Sequence, residues 1–298
     1  MSYEPLISMQ EGGDKMVVKS GGEIEVQSGG AFDLQDGASM PFGTGSDVVL
    51  KWNGTYLEGG PAAGMWAGCP SRADANFEAV ATYFFDDFQY QNAVDANLRW
   101  VEASDGGTGT NLINDSANGT MSIVCAAADN DYHVIHSVAE SWLFASGKKM
   151  WFEAKLALTE LNTSTASWWV GFTDLPTHAA TTGGFQADAA GPLASYDGAL
   201  IYKAEDLVVK SEASNAGTQT ADATLGTAVS GTSHTVGFYF DGVATTSTIT
   251  PYFDGTAGTA HNITLSGLQE MHMVLGCKAG SADAEALVVD YVKCIQLR

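Results

Sequence analysis

The segments HTVGFYFDG (residues 234–242) and TSTITPYFDG (246–255) decide the fold. Each gathers Thr, Val, Ile and aromatic residues, which suit a pleated, half-buried surface, and each stops at Asp-Gly, a turn signal. Outward from this pair the pattern recurs in ATYFFDDF (81–88), GTMSIVCAAA (119–128), YHVIHSVA (132–139), KKMWFEAKLAL (148–158) and SWWVGFTDL (167–175). It continues in GALIYKAE (198–205), DLVVKSEA (206–213), MHMVLGCKAG (271–280) and ALVVDYVKCIQLR (286–298), with Gly, Asn, Asp or Ser between the segments. No helical period separates them, which argues against a parallel α/β sheet and predicts an antiparallel sandwich or barrel over residues 80–298. One short helix is open over QEMHMVL (269–275).

Composition agrees with an all-β chain. Of 298 residues, 34 are Gly and 10% are aromatic, while only 16% are charged, a weighting that suits many short strands and tight turns. Thirteen Lys and Arg against 35 Asp and Glu leave a net charge of −22, which repels phosphate backbones and anionic lipid. Nucleic acid and membranes are therefore not expected partners. No run approaches the roughly 18 apolar residues of a membrane span, and the N-terminus lacks a basic start followed by an apolar run.

Ahead of the strand-rich region the chain repeats itself. SGGEIEV, SGGAFDL and DGASMPF begin at Ser20, Ser28 and Asp36, a spacing of eight. Ile24 and Val26, Phe32 and Leu34, and Met40 and Phe42 alternate onto one face, while Glu23, Glu25 and Asp33 point away. Three such units cannot bury their own apolar face, so the following domain or equivalent segments of other chains must cover it. The predicted organisation is an arm (1–17), a β-repeat assembly segment (18–58), a Gly/Ala/Pro-rich linker (59–79) and the sandwich (80–298). A hairpin is expected in VVLKWNGTYLE, turning at Asn53 and Gly54. Met65 and Trp66 are unusually apolar for free linker and are expected to pack against a body or a partner.

Four stretches carry a resemblance. FFDDFQYQNAVDANLRW (84–100) is similar to the start of concanavalin A-like jelly rolls, and ALVVDYVKCIQLR to the last strand of their laminarinase-like members. The segments at 234–242 and 246–255 resemble their paired strands ending in Asp-Gly. The resemblance implies a jelly-roll sandwich. It stops short of the enzymes, whose active strand carries a Glu-x-Asp-x-Glu type cluster to supply nucleophile and acid/base; the acidic pairs here are Glu23/Glu25, Asp129/Asp131 and Asp283/Glu285.

The SGG repeats placed before a β-rich body resemble the amino-terminal segments of tailed-phage virion proteins. That resemblance implies a homotrimer on the capsid surface, seated on the major capsid protein through Ile24, Val26, Phe32, Leu34, Met40 and Phe42, and assembled in the host cytoplasm. No enzymatic activity and no cofactor are expected. The alternatives are a glycan-binding fibre or receptor-binding module, and a divergent glycoside hydrolase.

Candidate binding residues are few. Trp168 and Trp169 are adjacent on a strand, so one indole faces the core and the other the second surface, where it could stack on a surface glycan beside Asp174. Asp129 and Asp131 offer oxygen ligands for a hard cation such as Ca²⁺, though a polar turn explains them as well. His133 and His136 lie three apart on a strand and face opposite sides, which denies them a shared metal. The sequons at Asn53, Asn118 and Asn262 read as turn chemistry. Cys69, Cys125, Cys277 and Cys294 contain no CxxC and read as reduced and buried, with a Cys277–Cys294 bridge open if both strands are neighbours.

Overall fold

The computed structural model describes residues 64–70, 77–89, 99–105, 109–114, 119–160, 166–175, 191–215 and 217–298, together with the backbone of five short strands nearer the N-terminus. Those strands are β1 (Ile7–Met9), β2 (Met16–Val18), β3 (Ser39–Phe42), β4 (Val48–Trp52) and β5 (Leu57–Pro61). β1 and β2 form an antiparallel pair, so the arm carries structure that its lack of period did not suggest. β4 and β5 form the expected hairpin, Trp52 opposite Leu57, with its turn outside the described residues. β3, the third repeat unit with Met40 and Phe42, joins that hairpin opposite Lys51 to Val48. Ile24, Val26, Phe32 and Leu34 lie outside the described residues.

The sandwich is made of two antiparallel sheets. The first contains β6 (Ala81–Asp86), β8 (Thr110–Asn114), β9 (Thr120–Val124), β11 (Met150–Thr159), β17 (His234–Phe240), β18 (Thr246–Phe253), β19 (Thr256–Ala257), β20 (His261–Thr264) and β22 (Ala286–Leu297). Its order is β19-β18-β17-β11-β22-β9-β8, with β20 on β18 and β6 on β22. The second contains β7 (Trp100–Ser104), β10 (Tyr132–Ser137), β12 (Ser167–Thr173), β13 (Gly198–Lys203), β14 (Val208–Asn215), β15 (Thr218–Gln219), β16 (Ala223–Thr227) and β21 (His272–Lys278). Its order is β15-β14-β13-β12-β21-β10-β7, with β16 on β14. Consecutive strands β10, β11 and β12 alternate between the sheets, as do β21 and β22. The stretch 269–275 is not helical: Met271 bridges Trp142, and the strand begins at His272.

Phe152 and Phe238 of the first sheet meet Phe172 of the second at centroid separations of 5.1 and 5.7 Å, both edge to face. Trp168, Leu275, Val292 and Cys294 close the same core. Both sheets are also covered on their outer faces. Cys69, Phe77, Ala81, Trp151 and Ile295 pack outside the first, and Tyr132, Val134, Trp169, Tyr196, Leu200 and Tyr202 outside the second. Double coverage explains why SWWVGFT of β12 is buried at every position, where a one-sided strand would alternate.

Cys277 and Cys294 lie on different sheets, so the bridge allowed for them does not form. Cys277 instead sits opposite His133 and Trp168, with its thiol against that of Cys125. The span read as linker also holds structure, since β5 runs to Pro61 and a short helix, α1 (Phe77–Val80), precedes β6.

Candidate functional site

The polar groups gather on the outer face of the second sheet. Leu200 and Glu212 are cross-strand partners on β13 and β14, and Tyr202 follows Leu200 on the same face. The segment 191–197 crosses above them, bringing Tyr196 down onto Glu212 and Gly191 against the Tyr202 ring. Tyr196 Oη donates to Glu212 Oε1 at 3.0 Å and Gln219 Nε2 donates to the same oxygen at 2.6 Å. The exposed Asp222 carboxyl hydrogen-bonds to both Glu212 and Tyr202. Burial raises Glu212 to about 7; the Tyr196 donor opposes the rise and the nearby Asp222 adds to it. Burial, followed by Asp222, likewise pushes the Tyr202 phenol upward. The Glu212 carboxyl is thus tied up within the fold, whereas a retaining glycosidase holds its pair about 5 Å apart around the scissile bond.

Neither tryptophan is available for stacking. Trp168 is 0% and Trp169 1% exposed. Trp168 is the indole that points into the core, whereas Trp169 lies against the backbone of Gly276 on β21, where a Cβ would fall 2.2 Å from the indole. The second surface is thus an additional packed layer, and the aromatic-stacking role fails for lack of an open ring face. Asp174 is also engaged within the fold: its Oδ1 accepts from the Asp197 N–H at 2.7 Å, tying the end of β12 to the start of β13. Burial raises its carboxyl.

Asp129 and Asp131 belong to a tight turn. Asp131 is 1% exposed and accepts the Ala126 N–H at 2.6 Å, and Asn130 between them takes a positive φ of 64°. Burial, then the hydrogen bond that its protonated carboxyl donates to Asp105, raise Asp131. Among the described residues no group of three or more His, Cys, Asp or Glu is placed to hold a metal ion. His133 and His136 face opposite sides of β10. His133 meets Glu102 at 2.7 Å, while His136 and His272 both donate from Nδ1 to the Ser137 carbonyl, at 2.9 and 2.7 Å. Burial lowers His136 and keeps it neutral. Asn262 lies exposed on β20 rather than in a turn; Asn53 and Asn118 fall outside the described residues.

The four thiols are free and buried. Burial pushes Cys69 up to about 12 and holds Cys294 well above the ordinary range, so neither supplies a thiolate at neutral pH.

A latch that sequence reasoning located only by its apolar residues fixes 64–69 to the first sheet. Trp66 Nε1 donates to Glu153 Oε2 at 2.7 Å, and Tyr291 Oη and Lys293 Nζ both reach Glu153 Oε1 at 2.7 Å. Lys293 Nζ also stands 4.3 Å over the Trp66 ring. Met65, 7% exposed, packs beside it against Gly237. Glu153, Tyr291 and Lys293 come from the central strands β11 and β22, and no local motif in either strand marks them as partners of a segment far earlier in the chain.

No protein-family model and no curated protein matches the sequence. Solved structures do share the architecture. Peanut lectin superposes with a TM-score of 0.50 at 12% identity, covering 73% of this chain and 98% of the lectin. An endo-1,3-β-glucanase from Streptomyces sioyaensis gives 0.48 at 14% identity over 76% and 99% of the two chains. A protein of unknown function from Shewanella oneidensis gives 0.48 at 14% over 73% and 87%. The fold is a concanavalin A-like jelly-roll sandwich.

Proposed function

We propose that the protein is a non-enzymatic structural component of a tailed-phage virion, a capsid decoration or cement protein that acts as a homotrimer. In this reading the β-repeat segment gathers three chains on the major capsid protein, and the jelly roll projects outward. The observation that carries it is the latch: Trp66, through Glu153 and Lys293, and Met65, against Gly237, fix residues 64–69 to the sandwich. A fixed joint suits a body positioned on a lattice, because interface formed at one end then orients the other. The polar cluster at Glu212 supports a structural role, since its carboxylate is occupied by Tyr196 and Gln219. Added interface between capsomers contributes association free energy to the shell.

Light scattering and capsid co-sedimentation of the full chain and of a chain lacking residues 1–58 test this. The full chain should be a trimer that binds capsids, and the truncated one a monomer that does not. A monomeric full chain, or capsid binding that survives the truncation, refutes the reading. The second reading is a glycan-binding fibre or receptor-binding module, favoured by the fold shared with peanut lectin. With both indoles buried, it requires a surface other than Trp168 and Trp169.

A further inference from the structure

We propose that Cys125 and Cys277 form a redox-sensitive staple, a dithiol that closes into a disulfide and joins the two sheets of the sandwich through the core. Cys125 directly follows β9 in the first sheet, where its N–H continues the pairing with β22 by donating to the Glu285 carbonyl at 2.9 Å. Cys277 belongs to β21 in the second sheet, opposite His133 and Trp168. Both side chains enter the shared core, at 1% and 0% exposure, and their thiols touch.

The backbone is already drawn together at this place. Stacked sheets stand about 10 Å apart, yet Cα atoms of β9 and β21 approach within 8 Å. The same pinch shows at Gly109, where a Cβ would strike both the His133 ring on β10 and the Val124 carbonyl on β9. A disulfide spans about 5.5–6 Å between Cα atoms, so the two strands need little adjustment. The other two cysteines are held apart, since Cys69 lies outside the first sheet and Cys294 inside it. His133 adds a proton acceptor. Its Nε2–H donates to Glu102 Oε1 at 2.7 Å, so Nδ1 keeps the ring's lone pair, buried and without a donor among the described residues. That nitrogen faces the residue before Cys125, where a reacting thiol must shed its proton.

In the closed fold the pair stays reduced. The hydrogen bond to Cys125, then burial, hold the Cys277 thiol well above the ordinary range, so reaction waits for local opening at the edge strands β7 and β8. The oxidant is a small disulfide such as glutathione disulfide. One cysteine sulfur attacks it, breaks its S–S bond and expels a glutathione thiolate; the second cysteine sulfur then breaks the mixed disulfide and expels the other glutathione. Two electrons and both thiol protons end on two molecules of glutathione. The loop closed between residues 125 and 277 takes in about half the chain, so the bridge restricts the unfolded state strongly.

Both cysteines lie within one sandwich, which makes the staple independent of trimer formation and capsid binding. The test holds the full chain in glutathione disulfide just below its melting temperature, then denatures and alkylates it for intact mass and peptide mapping. Two of the four cysteines should escape alkylation, and one cross-linked peptide should join Cys125 to Cys277. Melting temperature should rise by about 5–10 °C, a gain that dithiothreitol reverses. Four alkylated cysteines, glutathione retained on either cysteine, or a bridge that includes Cys69 or Cys294 overturns the proposal.

Discussion

Glu212 shows how a single side chain can make folding depend on pH. Its carboxyl is raised from an ordinary 4.5 to about 7, so between those values the folded chain keeps a proton that the unfolded chain releases. Stability from this group is therefore fully present below pH 4.5 and is lost as pH rises through 7, by about 3 kcal/mol at most. Asp131 and Asp174, also raised by burial, act in the same direction. Melting temperature should fall between pH 5 and pH 8, and Glu212→Gln, which keeps an acceptor for Tyr196, should flatten that fall. An unchanged slope in the variant would mean that Glu212 ionises as an ordinary surface carboxylate. Nothing in the SEA of DLVVKSEA marks this glutamate, because its partners Tyr196, Gln219 and Asp222 reach it only through the fold.

At the scale of elements, the segment 64–69 is held to the first sheet through Trp66 and Met65. Trp66→Ala removes a charge-assisted hydrogen bond to Glu153 and the ring beneath Lys293, a loss of about 2–4 kcal/mol. Limited proteolysis should then cut near Gly64 to Cys69 while the sandwich persists as a resistant core. Wild-type resistance in the variant would show that Met65 alone holds the segment. The packing of Met65 and Trp66 was legible because their apolarity conflicts with a Gly/Ala/Pro-rich context. The partner face was not, since Glu153, Tyr291 and Lys293 look like ordinary outward positions of half-buried strands. The same limit explains Trp169: alternation along β12 sends one indole of the pair to the second surface without saying which, and the cover at Tyr196 comes from a different part of the chain. The long strands β11, β12, β17, β18 and β22 were readable from β-branched and aromatic content. Short ones such as β16, ATLGT, and β19, two residues long, carry too little side-chain signal and exist because a neighbour pairs with them.

For the molecule as a whole, charge is the dominant global term. A chain at −22 repels itself, and raising ionic strength from about 0.01 to 0.15 M shortens the screening length from roughly 30 to 8 Å. Its melting temperature should rise with salt, equally for NaCl and KCl, as scanning calorimetry would show; a fall would mean that ion pairs such as Lys155–Asp290 outweigh the repulsion. The latch has a further consequence at this scale. Tension applied through the N-terminal region enters the sandwich at β11 and β22, each hydrogen-bonded on both flanks, before it reaches α1 and β6. The load is thus carried in shear by the middle of a sheet, and β6, which among the described residues pairs only with β22, is spared from being peeled away one bond at a time.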